Sequence, residues 1–137
     1  MRNRALAADH VRRAAIRLLA LDVLYEAGSW ADVVRESQEV VELALKGLLR
    51  AVGIDPPRVH DVGDVLQAER GRLPAALAGD VERLAAASRG LRRDRELAFY
   101  GAEDLTPSDF YREPEAAEAR TAARFVVERV HPHVLEP

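Results

Sequence analysis

The stretch from Trp30 to Val52, WADVVRESQEVVELALKGLLRAV, constrains this chain more than any other. Apolar or small residues recur at Val33, Ser37, Val40, Ala44 and Leu48, and a second register runs through Val34, Val41, Leu45, Leu49 and Val52. Two adjacent stripes at a 3.6-residue period cover more than half of a helix's circumference, so the stretch reads as a central helix enclosed by others. One narrow seam stays charged: Arg35, Glu39, Glu42 and Lys46. The stripes are committed to packing, so the seam is where function is to be sought.

The ends of this helix are marked. Ser29 is the expected cap, with Asp32 three residues on where a capping box prefers Glu or Gln. Gly53 stands just past the far end, where a left-handed residue is needed, and Asp55-Pro56-Pro57 bars continuation.

Its neighbours follow from the same periodicity. A first helix is expected from about Asn3 to Ala27, with Leu6, His10 or Val11, Ala14, Leu18, Leu21 and Leu24 or Tyr25 inward and Gly28 as its stop. So short a connection makes the first two helices antiparallel neighbours. A short third helix is expected from Val62 to about Glu69 with Asp61 as its cap, then a helical turn within Pro74 to Gly79. A long helix over Asp80 to Tyr100 carries the stripe Leu84, Ser88, Leu91, Arg95, Ala98 and should pack antiparallel to the central one. The loop AEDLTPSDFYRE holds Leu105, Phe110 and Tyr111 and should fold back on the domain. The last helix starts at Pro114, a favoured first position, and should stop near Val130 because Pro132 follows. No segment alternates with period two. The fold class is all-α, an up-and-down bundle of about five helices forming one domain over residues 1–137.

Composition narrows the function. Hydrophobic residues make up 48% of the chain and aromatics only 5%, so the apolar share is mostly Ala, Leu and Val, which suits close helix packing. The absence of cysteine excludes a disulfide framework and a thiolate metal site. A net charge of −3 supplies no global basic field, so any nucleic-acid contact must come from a local cluster. No apolar run approaches the length of a membrane span, and Arg12, Arg13 and Arg17 break up any signal-peptide pattern. The expectation is a soluble cytoplasmic protein without membrane contact.

Arg95 is the first candidate for chemistry, because it falls on the apolar stripe of its helix. A buried guanidinium needs an anionic partner, and Glu39 or Glu42 of the central seam would form the structural ion pair. Alternatively Arg95 lines a cleft that receives phosphate through its planar fork. Arg89, Arg92, Arg93 and Arg95 make the densest basic run, diluted by Asp94 and Glu96, and such a run often is only a solvated helix face. Tyr100 and Tyr111 flank the inferred cleft, against the plainer reading of packed tyrosines with wetted hydroxyls. His60 reads as a local hydrogen-bonding residue and His10 as part of a packing edge. His131 and His133 lack the further ligands a metal would need, so no metal and no cofactor is expected.

Three blocks in order, RESQEVVELALKGLLRAVGIDPPRVHDVGDVL, SRGLRRDRELAFYG and FYREPEAAEA, make the chain resemble the HEPN domain family of prokaryotes over roughly Ala27 to Val130. That resemblance implies a five-helix up-and-down bundle, a homodimer, and a groove for nucleotide or RNA. It also implies a minimal nucleotidyltransferase as partner in a toxin–antitoxin pair, or metal-independent ribonuclease activity. The family's ribonucleases carry an Arg followed four to six residues later by His. Arg95 matches the Arg, but the positions for the His hold Tyr100, Gly101 and Ala102, and no histidine lies between His60 and His131. A phenol with a pKa near 10 replaces imidazole poorly in proton transfer near pH 7.

The leading expectation is therefore a non-catalytic nucleotide- or RNA-binding module that partners a nucleotidyltransferase, with Lys46, Arg92, Arg95, Tyr100 and Tyr111 at the ligand and Glu39 and Glu42 as ion-pair partners. The alternatives are a ribonuclease using Arg95 and Tyr100 with help from Lys46, and a purely structural interaction protein.

Overall fold

The computed structural model describes residues 3–135 apart from 101–105, with the backbone alone for residues 91–100 and Asp109. Its elements are α1 (Arg4–Glu26), α2 (Trp30–Ala51), α3 (Gly63–Ala68), α4 (Val81–Tyr100), α5 (Pro107–Phe110) and α6 (Glu113–Val134), with 3-10 turns at Arg70–Arg72 and Ala75–Asp80. No strand occurs among the described residues. The architecture is the expected all-α bundle, with four long helices and two short ones.

Side-chain pairs fix the directions. Arg17 Nη1 donates to Glu36 Oε1 at 3.0 Å, and Gly47 lies against Ala7, His10 and Val11, so α1 and α2 run antiparallel. The Tyr25 hydroxyl donates to Glu113 Oε1 at 2.8 Å, while Asp22 accepts from Arg120 and Arg124, so α6 also opposes α1. The Arg129 guanidinium donates to Asp80, and Arg83 lies 3.6 Å from the centroid of the Phe125 ring, so α4 opposes α6. Together these relations set α4 antiparallel to α2, as the stripe pattern predicts.

The centre is α2. Val33, Val34, Val40, Val41, Ala44, Leu45, Leu48 and Leu49 are all buried, packed against Val11, Ala14 and Leu21 of α1, Leu84 of α4 and Ala123, Val126 and Val130 of α6. Gly47 is what lets α1 approach. A Cβ there would meet Val11 Cγ2 at 2.7 Å and the Ala7 carbonyl oxygen at 3.1 Å.

Both expected stops are left-handed glycines, Gly28 at φ 72° and Gly53 at φ 83°. After α2 the Gly53 N–H donates to the Arg50 carbonyl at 3.1 Å and the Ile54 N–H to the Leu49 carbonyl at 2.9 Å, while the Ile54 side chain enters the core. This is the Schellman closure, which satisfies carbonyls that a helix end otherwise strands.

Three boundaries differ from expectation. Ser29 makes no side-chain bond to the start of α2; its hydroxyl donates to Asp32 Oδ2 at 2.6 Å instead. A hydroxyl that donates can still accept, but in this rotamer its oxygen reaches none of the first N–H groups of the helix. The third helix begins at Gly63, and Asp61 bonds the Gly63 N–H from two residues before it, at 2.8 Å. The last helix does not stop at Pro132 but continues to Val134. Proline so near the end removes one helical bond; the following turn is closed by the Leu135 N–H on the His131 carbonyl at 2.9 Å, with Val134 and Leu135 packed on the core.

Candidate functional site on the charged seam of α2

The seam keeps its helical order in three dimensions because both its flanks are anchored in the core. Arg35, Glu39, Glu42 and Lys46 are all half-buried. The Glu42 carboxylate is its hub. Oε2 accepts from Lys46 Nζ at 2.9 Å, an i to i+4 pair in the favourable order, with the acid nearer the helix N-terminus. Oε1 lies 2.7 Å from Nδ1 of His60. The Glu42 side chain is 16% exposed and that of Lys46 19%, whereas His60 stands 52% exposed at the rim.

The loop between Gly53 and Gly63 brings His60 there. Beside it Asp61 Oδ1 accepts from the Gly63 N–H and from the Ser88 hydroxyl at 3.1 Å, and Ser88 Oγ accepts from the Val62 N–H at 3.0 Å. Ser88 is fully buried on α4, so this chain of bonds fastens the His60 loop to the middle of that helix. Arg89, next along, donates to Asp64 and to Gln67 Oε1, which ties it to α3. The first arginine of the basic run is thus structural. Nearby, Glu82 accepts from Arg70 and from Gln67, and these bonds hold its carboxyl below the usual range.

The candidates distribute as follows. Lys46 and Glu42 meet in the seam, and Glu39 lies on the same row, one turn before Glu42. Arg92, Arg95 and Tyr100 belong to the last turns of α4, but their side chains, and with them the pairing of Arg95 with Glu39 or Glu42, lie outside the described residues. Tyr111 is 3% exposed and packed in the core cluster, its ring 5.3 Å from that of Phe110. Phe110 lies nearer the surface, and Leu105 lies outside the described residues.

Sequence reasoning assigned His60 a local role and missed its bond to Glu42, 18 residues earlier. The usable signal was the rigid Asp55-Pro56-Pro57 turn, which sends the chain back along α2. His10 does act locally, its Nδ1 lying 2.8 Å from the Leu6 carbonyl oxygen. Among the described residues no group of His, Cys, Asp and Glu is arranged to hold a metal ion, and no helix is long and apolar enough to cross a membrane.

Chemically, the seam is a carboxylate shared by an ammonium and an imidazole. The carboxylate orients both cation-forming groups and leaves Lys46 further N–H donors for an anion. A family model described as HEPN domain matches residues 7–133. No curated protein and no solved structure gives a significant match.

Proposed function

The chain belongs to the HEPN domain family, and from that premise we propose that it is a nucleotide- or RNA-binding helical module. In this reading it works in the cytoplasm without cleaving its ligand, as the partner of a minimal nucleotidyltransferase in a toxin–antitoxin-like system. The observation that supports it best is the Glu42 hub, which holds Lys46 and His60 on a partly exposed seam beside α4 and its arginine run. Lys46, Arg92 and Arg95 supply positive charge for phosphate, and Tyr100 supplies a hydroxyl. Arg92 and Arg95 are one helical turn apart and share a face.

The test is a fluorescence-anisotropy titration with a labelled single-stranded RNA and, in competition, ATP. Affinity should fall as salt rises, in the manner of counterion release. Lys46→Ala and Arg95→Ala should each weaken it several-fold. Affinity that neither substitution changes would remove the seam from the binding site.

A second reading, a metal-independent ribonuclease using Arg95 and Tyr100, is favoured by one observation. An imidazole oriented by a carboxylate, His60 on Glu42, stands beside Lys46 although the motif histidine is missing. A carboxylate that fixes the imidazole's orientation is an arrangement that general acid–base catalysis uses. RNA cleavage that is lost in His60→Ala or Tyr100→Phe would establish this reading in place of the first.

A further inference from the structure

The row of the α2 seam does not end at Lys46. Four residues on, Arg50 takes the next position on the same face, one turn nearer the end of the helix. It lines a mainly polar cavity of about 290 Å3 with Asn3, Gly53, Ile54 and Asp55, where α1 begins and α2 ends. The chain makes little use of this guanidinium. Its Nε–H is buried and has no hydrogen-bond partner among the described residues, and its Nη1 donates to Asp55 Oδ1 at 3.4 Å. The Asp55 side chain is 99% exposed, so that long contact holds neither group firmly. A guanidinium has five N–H donors, and one weak contact leaves its planar fork for an oxyanion.

The surroundings suit negative charge. The positive end of the α1 dipole stands at the Asn3 wall. The carbonyls at the end of α2 would repel an anion, but they are covered. Arg72 Nη2 donates to the Val52 and Gly53 oxygens at 3.4 and 3.2 Å, and the Gly53 and Ile54 N–H groups close on those of Arg50 and Leu49. We propose that Arg50 and this cavity form a second phosphate subsite, so that the seam takes a single strand of RNA several nucleotides long and not a mononucleotide. The Cα atoms of Lys46 and Arg50 are about 6 Å apart along the axis. Their charges are farther apart, because Lys46 reaches back to Glu42 and Arg50 forward to Asp55. The phosphate chain of one nucleotide is too compact to meet both; the backbone of a strand can. Asp55 competes with phosphate for the guanidinium and lowers the affinity. The subsite rests on the RNA-binding reading of the seam and narrows it to a strand.

The test compares a labelled single-stranded octanucleotide RNA with labelled ATP, by anisotropy on the full chain at several salt concentrations. Arg50→Gln keeps a polar stem and removes the charge. It should weaken RNA binding several-fold, leave ATP affinity within about twofold, and lower the salt slope for RNA by about 0.7, the share of one phosphate contact on a single strand. Asp55→Asn, at an exposed position, should act in the opposite direction and tighten RNA binding. Lys46→Ala should weaken both ligands. Circular dichroism and the urea midpoint check the fold of each variant; should Arg50→Gln not fold, the direction of the Asp55→Asn effect decides alone. RNA affinity and slope unchanged in Arg50→Gln, with Lys46→Ala still weakening RNA, would overturn the subsite and leave the seam as the binding site. Equal losses for RNA and ATP in Arg50→Gln, or weaker RNA binding in Asp55→Asn, would overturn it as well. Wild-type protein that binds neither ligand would overturn the subsite and the RNA-binding reading together.

Discussion

His60 Nδ1 and Glu42 Oε1 lie 2.7 Å apart, joining a loop to the charged seam of the central helix. The pair sits where solvent still reaches the imidazole, so its worth falls between that of a surface contact and a buried one. A double-mutant cycle with His60→Ala and Glu42→Gln should give a coupling of about 0.5–1.5 kcal/mol in urea unfolding. Additive effects would mean that the loop is held by Asp61 and Ser88 alone.

The second close approach is purely steric. Gly47→Ala should gain about 1 kcal/mol of helix propensity and lose more than that, because the new methyl meets Val11 Cγ2 at 2.7 Å and the Ala7 carbonyl at 3.1 Å. Valine is stiff about χ1 and backbone cannot swing away. The net effect should be a destabilisation of about 1–2 kcal/mol, measured by thermal or urea unfolding. Adding Val11→Ala should cost less than Val11→Ala does in the wild-type background, because it removes the clashing atom. Equal costs in the two backgrounds would show that α1 simply shifts.

These two positions mark what the sequence could and could not disclose. The stripes of α2 were legible because apolar or small groups recur in steps of three, four and seven, and burial follows that period. Gly47 breaks no stripe and carries no side chain, so periodicity could not distinguish a contact point from a neutral gap. The His60 contact depends on how a proline-stiffened loop returns in space, which spacing along one helix does not encode. Pro132 misled for a related reason: the local rule that proline ends a helix yields when packing on both sides of it holds the last turn. Tyr111 was legible in its plainer reading, a tyrosine packed where its loop folds back on the domain, because a large ring among turn formers has the core as its natural place.

Acid should expose the role of Glu82. Its bonds to Arg70 and then to Gln67 lower its folded-state pKa below the usual 4.5. A carboxylate depressed on folding contributes stability that is complete above the unfolded pKa and is lost as pH falls through the lower, folded one. Glu82→Gln should therefore be less stable than wild type at pH 7, and the gap should close as the medium falls below about pH 4. Both groups are solvent-exposed, so the gap should be small and should shrink with added salt. A gap that persists unchanged at pH 3 would assign the effect to lost packing instead.

Among the described residues, two neighbouring fully buried polar side chains on α2 lack hydrogen-bond partners, Ser37 and the larger Gln38. Gln38 is fully buried, and neither its amide nitrogen nor its carbonyl oxygen has a hydrogen-bond partner among the described residues. Stranding a buried polar group costs about 1–3 kcal/mol. Leucine offers similar bulk without that cost and is at least as good a helix former. Gln38→Leu should accordingly raise stability by about 1–2 kcal/mol, read as a higher urea midpoint at unchanged slope. Gln38 also lies one helical turn before Glu42, at the edge of the charged seam, so the same variant bears on the site. If the amide serves only the fold, RNA or nucleotide affinity should stay within about twofold of wild type, a difference under 0.5 kcal/mol. A variant that is more stable but binds several-fold more weakly would place the glutamine in the binding site, its buried amide kept at the expense of stability.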